Sequence, residues 1–182
     1  MTNEVTLLVN KEIERLLKEC FIWTARYVEW LSNIMPIMKK NKKLRVYIDF
    51  RNLNLATPKD EYPVPVADLL VDSAAKSQVL SFMDGRARYN QIFINPDDIH
   101  KTAFRCPGAL GTFEWVVLPF GLKNVGATYQ MPMNLIFHDL IGKFLEVYIE
   151  DVVVKLDTFE EHLNHLRQTF QKMGSHKLKV NL

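Results

Sequence analysis

Two adjacent acids, Glu150 and Asp151, interrupt an otherwise apolar, β-branched run over residues 144–155. Val147, Tyr148, Ile149, Val152, Val153 and Val154 are residue types that strands favour, whereas carboxylates are what a strand core rejects. The pattern predicts a hairpin whose tight turn carries the acids, with the valines anchoring it in a sheet. Neighbouring carboxylates repel unless a cation sits between them, so the pair implies either a metal or a solvated turn. A second strand-like stretch, residues 78–84, runs through Val79, Leu80, Phe82 and Met83 to another terminal acid, Asp84. If that strand lies beside the hairpin, three carboxylates meet at one sheet edge. Hard oxygen donors of this kind suit Mg²⁺. Two such ions about 3.5 to 4 Å apart can stabilise the attacking and leaving oxygens of phosphoryl transfer. Lys39, Lys40, Lys42, Lys43 and Arg45 place five cations in seven residues, a density that offsets triphosphate charge or holds a phosphate backbone. Together these groups point to nucleotidyl transfer. A metal-dependent phosphohydrolase would need a water-activating base, and no residue stands out for that role.

The elements that must position these groups follow from periodicity and punctuation. Ile13, Leu16, Leu17 and Cys20 recur at helix spacing after Asn10, a fair N-cap. Residues 30–38 and 44–50 read as strands around the lysine-rich turn at 39–43. Pro58, Pro63 and Pro65 make residues 57–65 an extended connector, and 66–75 a short helix with Leu69, Leu70 and Ala74 inward. Residues 92–94, 102–106 and 114–118 read as strands, with Asp97 and Asp98 in an exposed turn. A helix is expected over 124–140 with Leu135, Ile136 and Leu140 inward, although Pro132 falls inside it at a typical cost of about 3 kcal/mol. A further helix over 159–173 is expected to bury Leu163, Leu166 and Phe170, leaving His162 and His165 on its surface. Residues 178–182 begin a strand. Strands and helices that do not strictly alternate indicate an α+β fold.

With 182 residues, 48% of them hydrophobic, the chain can bury one substantial core, or a core with an appended lobe. A net charge of +2 does not by itself indicate a nucleic-acid partner, so local charge is the better witness. Cys20 and Cys106 have neither metal-ligand nor disulfide-framework spacing and fit a reducing, intracellular setting. No signal peptide and no membrane-spanning run is apparent. Trp23, Trp30 and Trp115 are expected in the core. Asp49 reads either as a structural acid paired with Arg51 or as a further catalytic group.

The segment Tyr148-Ile149-Glu150-Asp151 resembles the Tyr-x-Asp-Asp signature of reverse transcriptases. Five other blocks agree with it in order and spacing: residues 44–54, 81–84 with 89–92, 100–105 and 118–124, the last reading Leu-Pro-Phe-Gly-Leu-Lys-Asn. The match is nearest to the polymerase of gypsy-type long-terminal-repeat retrotransposons and runs from about Lys11 to Leu182. The resemblance implies a right-hand polymerase fold made of fingers (approximately 1–75 and 95–122) and palm (approximately 76–94 and 123–182). Its antiparallel palm sheet would pack on helices, and the thumb would be absent. It implies RNA-directed DNA polymerase activity with Asp84, Glu150 and Asp151 as catalytic and metal-binding residues for Mg²⁺, or Mn²⁺ in its place. Lys40, Arg45, Gly85, Tyr89, Phe120 and Gly121 would bind the nucleotide, with Tyr89 excluding a 2′-hydroxyl. Asn54, Gln130 and Tyr148 would face template and primer. The implied partners are an RNA or DNA template, a primer and a dNTP, with no membrane, and the implied compartment is the cytoplasm, in a virus-like particle. Three positions depart from the family pattern: Glu150 stands where the first Asp of the pair belongs, Arg88 where a small residue is usual, and Pro132 inside a helix. Impaired catalysis is therefore expected, and the alternative is an inactive retroelement remnant that at most binds nucleic acid through its basic turn.

Overall fold

The computed structural model of the chain describes residues 2–40, 44–75, 77–85, 88–156 and 159–180. They form two compact units, residues 1–59 with 92–125 and residues 60–91 with 126–182.

In the first unit, helix α1 (Asn3–Lys18) is capped by Thr2, whose hydroxyl accepts from the Val5 N–H. It begins about two turns upstream of the expected Asn10, which lies inside it, because the apolar stripe extends back through Val9 to Val5. Strands β1 (Ile22–Thr24), β2 (Ser32–Met38), β3 (Leu44–Ile48), β5 (Phe104–Arg105) and β6 (Thr112–Trp115) make a sheet in the order β1-β6-β5-β2-β3. Val9, Ile13, Phe50, Phe104, Phe113 and Trp115 form its core. Trp23 departs from expectation: it is 48% exposed, and its indole N–H donates to Glu114 across the β1–β6 pair. Strands β2 and β3 form the anticipated hairpin, Ile34 opposite Ile48 and Met38 opposite Leu44. Lys42 and Lys43 lie outside the described residues. Residues 92–94, expected with the palm, belong here because Ile94 donates to the Val116 carbonyl and Phe93 bridges Val117.

In the second unit, β4 (Val79–Asp84), β7 (Leu145–Tyr148) and β8 (Asp151–Leu156) form an antiparallel sheet in the order β4-β8-β7. The buried residues Met83, Val147, Val152, Val154 and Leu145 alternate along its strands, as one covered face requires. Helix α4 (Val125–Phe137) runs unbroken through Pro132, which removes only one helical donor. It buries Ala127, Tyr129, Gln130, Met133 and Phe137, and of the expected stripe Leu135 is 75% exposed while Leu140, just past the helix, is buried. Helix α5 (Phe159–Ser175) likewise turns His162, Thr169 and Met173 inward and leaves Leu163 and Phe170 exposed. The buried His162 places its Nε2 2.8 Å from the Ser81 hydroxyl of β4 while its Nδ1 is buried without a hydrogen bond among the described residues, and His165 stacks on Phe144. Helix α3 (Ala67–Ala74) buries none of its residues. Residues 60–75, which the resemblance assigns to the fingers with residues 1–59, belong to this unit because Ser73 of α3 bonds Glu146 of β7 and the Tyr62 hydroxyl accepts from Asn134 of α4. The expected final strand is a single bridge, Val180 with Gly85. Among the described residues no helix is long and apolar enough to cross a membrane.

Candidate active site

Asp84 closes β4 directly opposite Asp151, the first residue of β8, which on its other side pairs with Tyr148. Directly opposed residues of antiparallel strands share a sheet face, with Cβ atoms typically about 5 Å apart. The two acids therefore emerge together, on the face that also presents the 71% exposed Phe82, while Met83 and Val152 enter the core behind them. Asp84 and Asp151 are hard oxygen donors on one edge, and that donor set fits a cation such as Mg²⁺.

Glu150 behaves differently. Glu150, in the turn just before β8, lines a shallow depression with Tyr129, Met133, Met173 and Val180. Among the described residues no group of three His, Cys, Asp or Glu side chains is arranged to hold an ion. The sheet register thus brings Asp84 and Asp151 together, with Glu150 in the adjoining turn and, like Asp84, close enough to Tyr129 to act on its hydroxyl.

The turn between β7 and β8 has two residues, Ile149 and Glu150. Two-residue hairpin turns require positive φ at their first central position, which normally selects Gly or Asn. Ile149 adopts φ +51°, a costly conformation for a β-branched side chain. The Gln130 amide, fully buried in α4, holds this turn: Oε1 accepts from the Ile149 N–H at 2.6 Å and Nε2 donates to the Val147 carbonyl at 3.3 Å. Gln130 was expected at the template and primer. With no exposed surface it serves the turn instead.

Tyr129 and Tyr89 pack edge to face beneath the acids, centroids 5.3 Å apart. Burial, reinforced by the negative charges of Glu150 and Asp84, pushes the Tyr129 hydroxyl up to about 12. Tyr89 is 7% exposed, which leaves little of its ring for contact with a sugar. Gly85 is buried and bridges Val180, and Gln91 clasps the same segment by accepting from the Lys179 N–H and donating to its carbonyl. The Arg88 side chain lies outside the described residues.

The other expected nucleotide ligands belong to the first unit. Lys40 and Arg45 are exposed, and Arg45 donates to the Tyr47 hydroxyl at 3.1 Å. Phe120 is 43% exposed, and Gly121 has φ +97° against the Phe50 ring. Asn54, expected at the template, braces that loop: its amide donates to the Gly121 carbonyl and accepts from the Lys123 N–H, both at 2.7 Å. Lys123 and Asn124 add bonds to the Thr57 and Pro58 carbonyls. Asp49 is held by Arg51 at 2.7 Å, and this guanidinium draws its carboxyl below the usual range, which supports the structural reading of that acid.

Sequence reasoning missed Tyr129, the clamp by Gln130, and a cluster of Ser73, Glu146 and Lys155 beside the hairpin. The available signal for the clamp was Gln130 and Asn134, a polar pair four residues apart in an apolar helix.

The family model described as reverse transcriptase (RNA-dependent DNA polymerase) matches residues 37–182. The retrovirus-related Pol polyprotein from transposon 297 of Drosophila melanogaster is 35% identical over 153 residues, covering 84% of this chain and 14% of that protein. Its counterpart from transposon gypsy of the same organism is 32% identical over 183 residues, covering 97% and 17%. This chain therefore spans less than a fifth of the length of these curated relatives. A foamy virus protease-reverse transcriptase crystal structure superposes with TM-score 0.87 at 19% identity, over 99% of this chain and 24% of that one. The foamy viral enzyme in complex with RNA/DNA hybrid gives 0.84 at 21% identity, over 95% and 23%. At such identities the likeness is one of fold.

Proposed function

Because the chain belongs to the reverse transcriptase (RNA-dependent DNA polymerase) family, we propose that its acidic hairpin serves template-directed nucleotidyl transfer within a longer retrotransposon polyprotein acting in the cytoplasm. By descent it is an RNA-directed DNA polymerase. The observation that carries the reading is the register of Asp84 against Asp151, two acids placed together on an otherwise apolar sheet edge.

In the proposed reaction the primer 3′-hydroxyl oxygen loses its proton to solvent water and forms a bond to the α-phosphorus of a dNTP, and the bond from that phosphorus to its bridging oxygen breaks to release pyrophosphate. No side chain of this chain acts as nucleophile. Asp84 and Asp151 would hold the divalent cation, which when bound supplies charge neutralisation and lowers the proton affinity of the primer hydroxyl. Tyr148, paired with Asp151, would support the primer end. Lys40 and Arg45 are exposed cations suited to triphosphate oxygens. Glu150 carries one methylene more than Asp, so its carboxylate would be misplaced by roughly an ångström, a displacement that can cost about 100-fold in rate.

The test is primer extension on an RNA template with Mg²⁺ and with Mn²⁺, comparing the native chain with Glu150→Asp and Asp84→Asn. Incorporation raised about 100-fold by Glu150→Asp and abolished by Asp84→Asn is the expected result. No incorporation by any form, with salt-dependent nucleic-acid binding lost on replacing Lys39, Lys40, Lys42 and Lys43, would instead establish a non-catalytic remnant.

A further inference from the structure

We propose that Gln130 is a positioning residue whose buried amide sets the backbone of the acidic turn and thereby the direction in which Glu150 and Asp151 present their carboxylates. This rests on the reading that the hairpin carries nucleotidyl transfer.

A carboxamide with no exposure, in a helix whose other inward residues are mainly apolar, is unfavourable unless its hydrogen bonds are made. Gln130 makes them to the turn. It accepts from the Ile149 N–H at 2.6 Å, donates to the Val147 carbonyl at 3.3 Å, and donates to Asn134 Oδ1 at 2.7 Å. One side chain thus grips the backbone on both sides of Tyr148 and immediately before Glu150.

The gripped position is also the strained one. Ile149 has φ +51°, and such a conformation persists only where the surroundings over-determine it. The Gln130 bond to its N–H is one such constraint from α4, and Gly126 of the same helix leaves Ile149 Cδ1 room, since a Cβ there would meet it at an ordinary 3.5 Å. A larger residue at 126 would crowd the turn.

The network extends further. Asn134 Nδ2 donates to the Tyr62 hydroxyl at 2.8 Å, and Tyr62 lies in the proline-bounded extended segment before α3, where its own N–H is held by Asp60. The relay Tyr62, Asn134, Gln130, Ile149 therefore ties the connector to the catalytic turn within one compact unit. If Gln130 were simply a satisfied core amide, its loss would lower the unfolding midpoint and leave the geometry of the acids unchanged.

The experiment uses Gln130→Met, which keeps the volume and removes the hydrogen bonds, alone and combined with Ile149→Gly, which relieves the strained φ. Tyr62→Phe is a milder variant that cuts only the far end of the relay. Two readouts need no catalysis: amide hydrogen exchange at Ile149 and Glu150, and Mn²⁺ affinity of the protein alone by paramagnetic resonance. Expected are faster exchange at both amides and Mn²⁺ binding weaker by about tenfold in Gln130→Met, the scale on which partners outside a metal's ligands act. Tyr62→Phe should give smaller shifts of the same sign. In the Ile149→Gly background Gln130→Met should add little. Unchanged exchange at Ile149 in Gln130→Met and in Tyr62→Phe would overturn the proposal, as would an effect of Gln130→Met that persists in full beside Ile149→Gly. A native chain that binds no Mn²⁺ yet shows the exchange coupling would overturn the nucleotidyl-transfer reading and leave the positioning role standing.

Discussion

Replacing Lys155 by Met should destabilise the second unit strongly, and the size of the effect follows from the surroundings of the ammonium. Its Nζ lies 2.7 Å from Glu146 Oε1, with the two side chains 11% and 13% exposed. The Ser73 hydroxyl accepts from the same ammonium and donates to the same carboxylate, the latter at 3.1 Å. The pair spans β7 and β8, and Ser73 fastens α3 to it. Lys155→Met leaves the Glu146 carboxylate shielded from water with one neutral donor. Breaking a fully buried pair costs about 3 to 5 kcal/mol, and access to solvent of roughly a tenth places this one near 3 kcal/mol. For a protein of this size that lowers the thermal midpoint by about 6 to 12 °C. Urea unfolding followed by circular dichroism measures it, provided the slope against denaturant is unchanged. The double variant Lys155→Met with Glu146→Leu removes both charges and should recover most of the loss, giving a coupling energy of about 2 kcal/mol in the cycle. A single-variant cost below about 1 kcal/mol, or costs that simply add, would refute the reasoning and reduce the cluster to a solvated surface pair.

Two further outcomes follow from single sites. An unfolded tyrosine ionises near pH 10, whereas the Tyr129 hydroxyl, raised by burial and then by Glu150 and Asp84, ionises at about 12. Between these values the folded chain binds more protons than the unfolded chain, so the contribution of Tyr129 is intact below pH 10 and is lost as pH rises toward 12. The loss approaches about 2 to 3 kcal/mol, and unfolding curves from pH 9 to 12 should fall more steeply for the native chain than for Tyr129→Phe. Gly121→Ala should cost about 1 to 2 kcal/mol, because φ +97° disfavours any Cβ while the nearest atom, in the Phe50 ring, would sit at an ordinary 3.6 Å. A destabilisation well beyond that in equilibrium unfolding would mean that space, and not backbone conformation, is limiting there.

What the sequence determined was local. Apolar runs ending in or broken by acids placed β4 and the β7–β8 hairpin, three prolines made the connector extended, and strand-like runs on either side of a lysine-rich interval placed β2 and β3. Each of these signals is written within a few residues, since strand and turn preferences arise from the side chain and its own backbone. The Tyr-x-x-Asp segment and its companion blocks carried the family, which needs order and spacing along the chain and no contact between distant parts.

Tertiary structure decided which side of each element faces inward. Counting apolar residues on α5 selects Leu163 and Phe170, yet His162 goes inside because Ser81 of β4 waits there with a hydroxyl. Counting on α4 selects Leu135, yet Gln130 is buried because the turn it meets has an N–H and a carbonyl to satisfy. Likewise Asp84 and Asp151 stand together only through the register of β4 on β8. A polar group is buried or exposed according to the partner opposite it, and that partner lies far away in the chain, so no pattern along one element can reveal it.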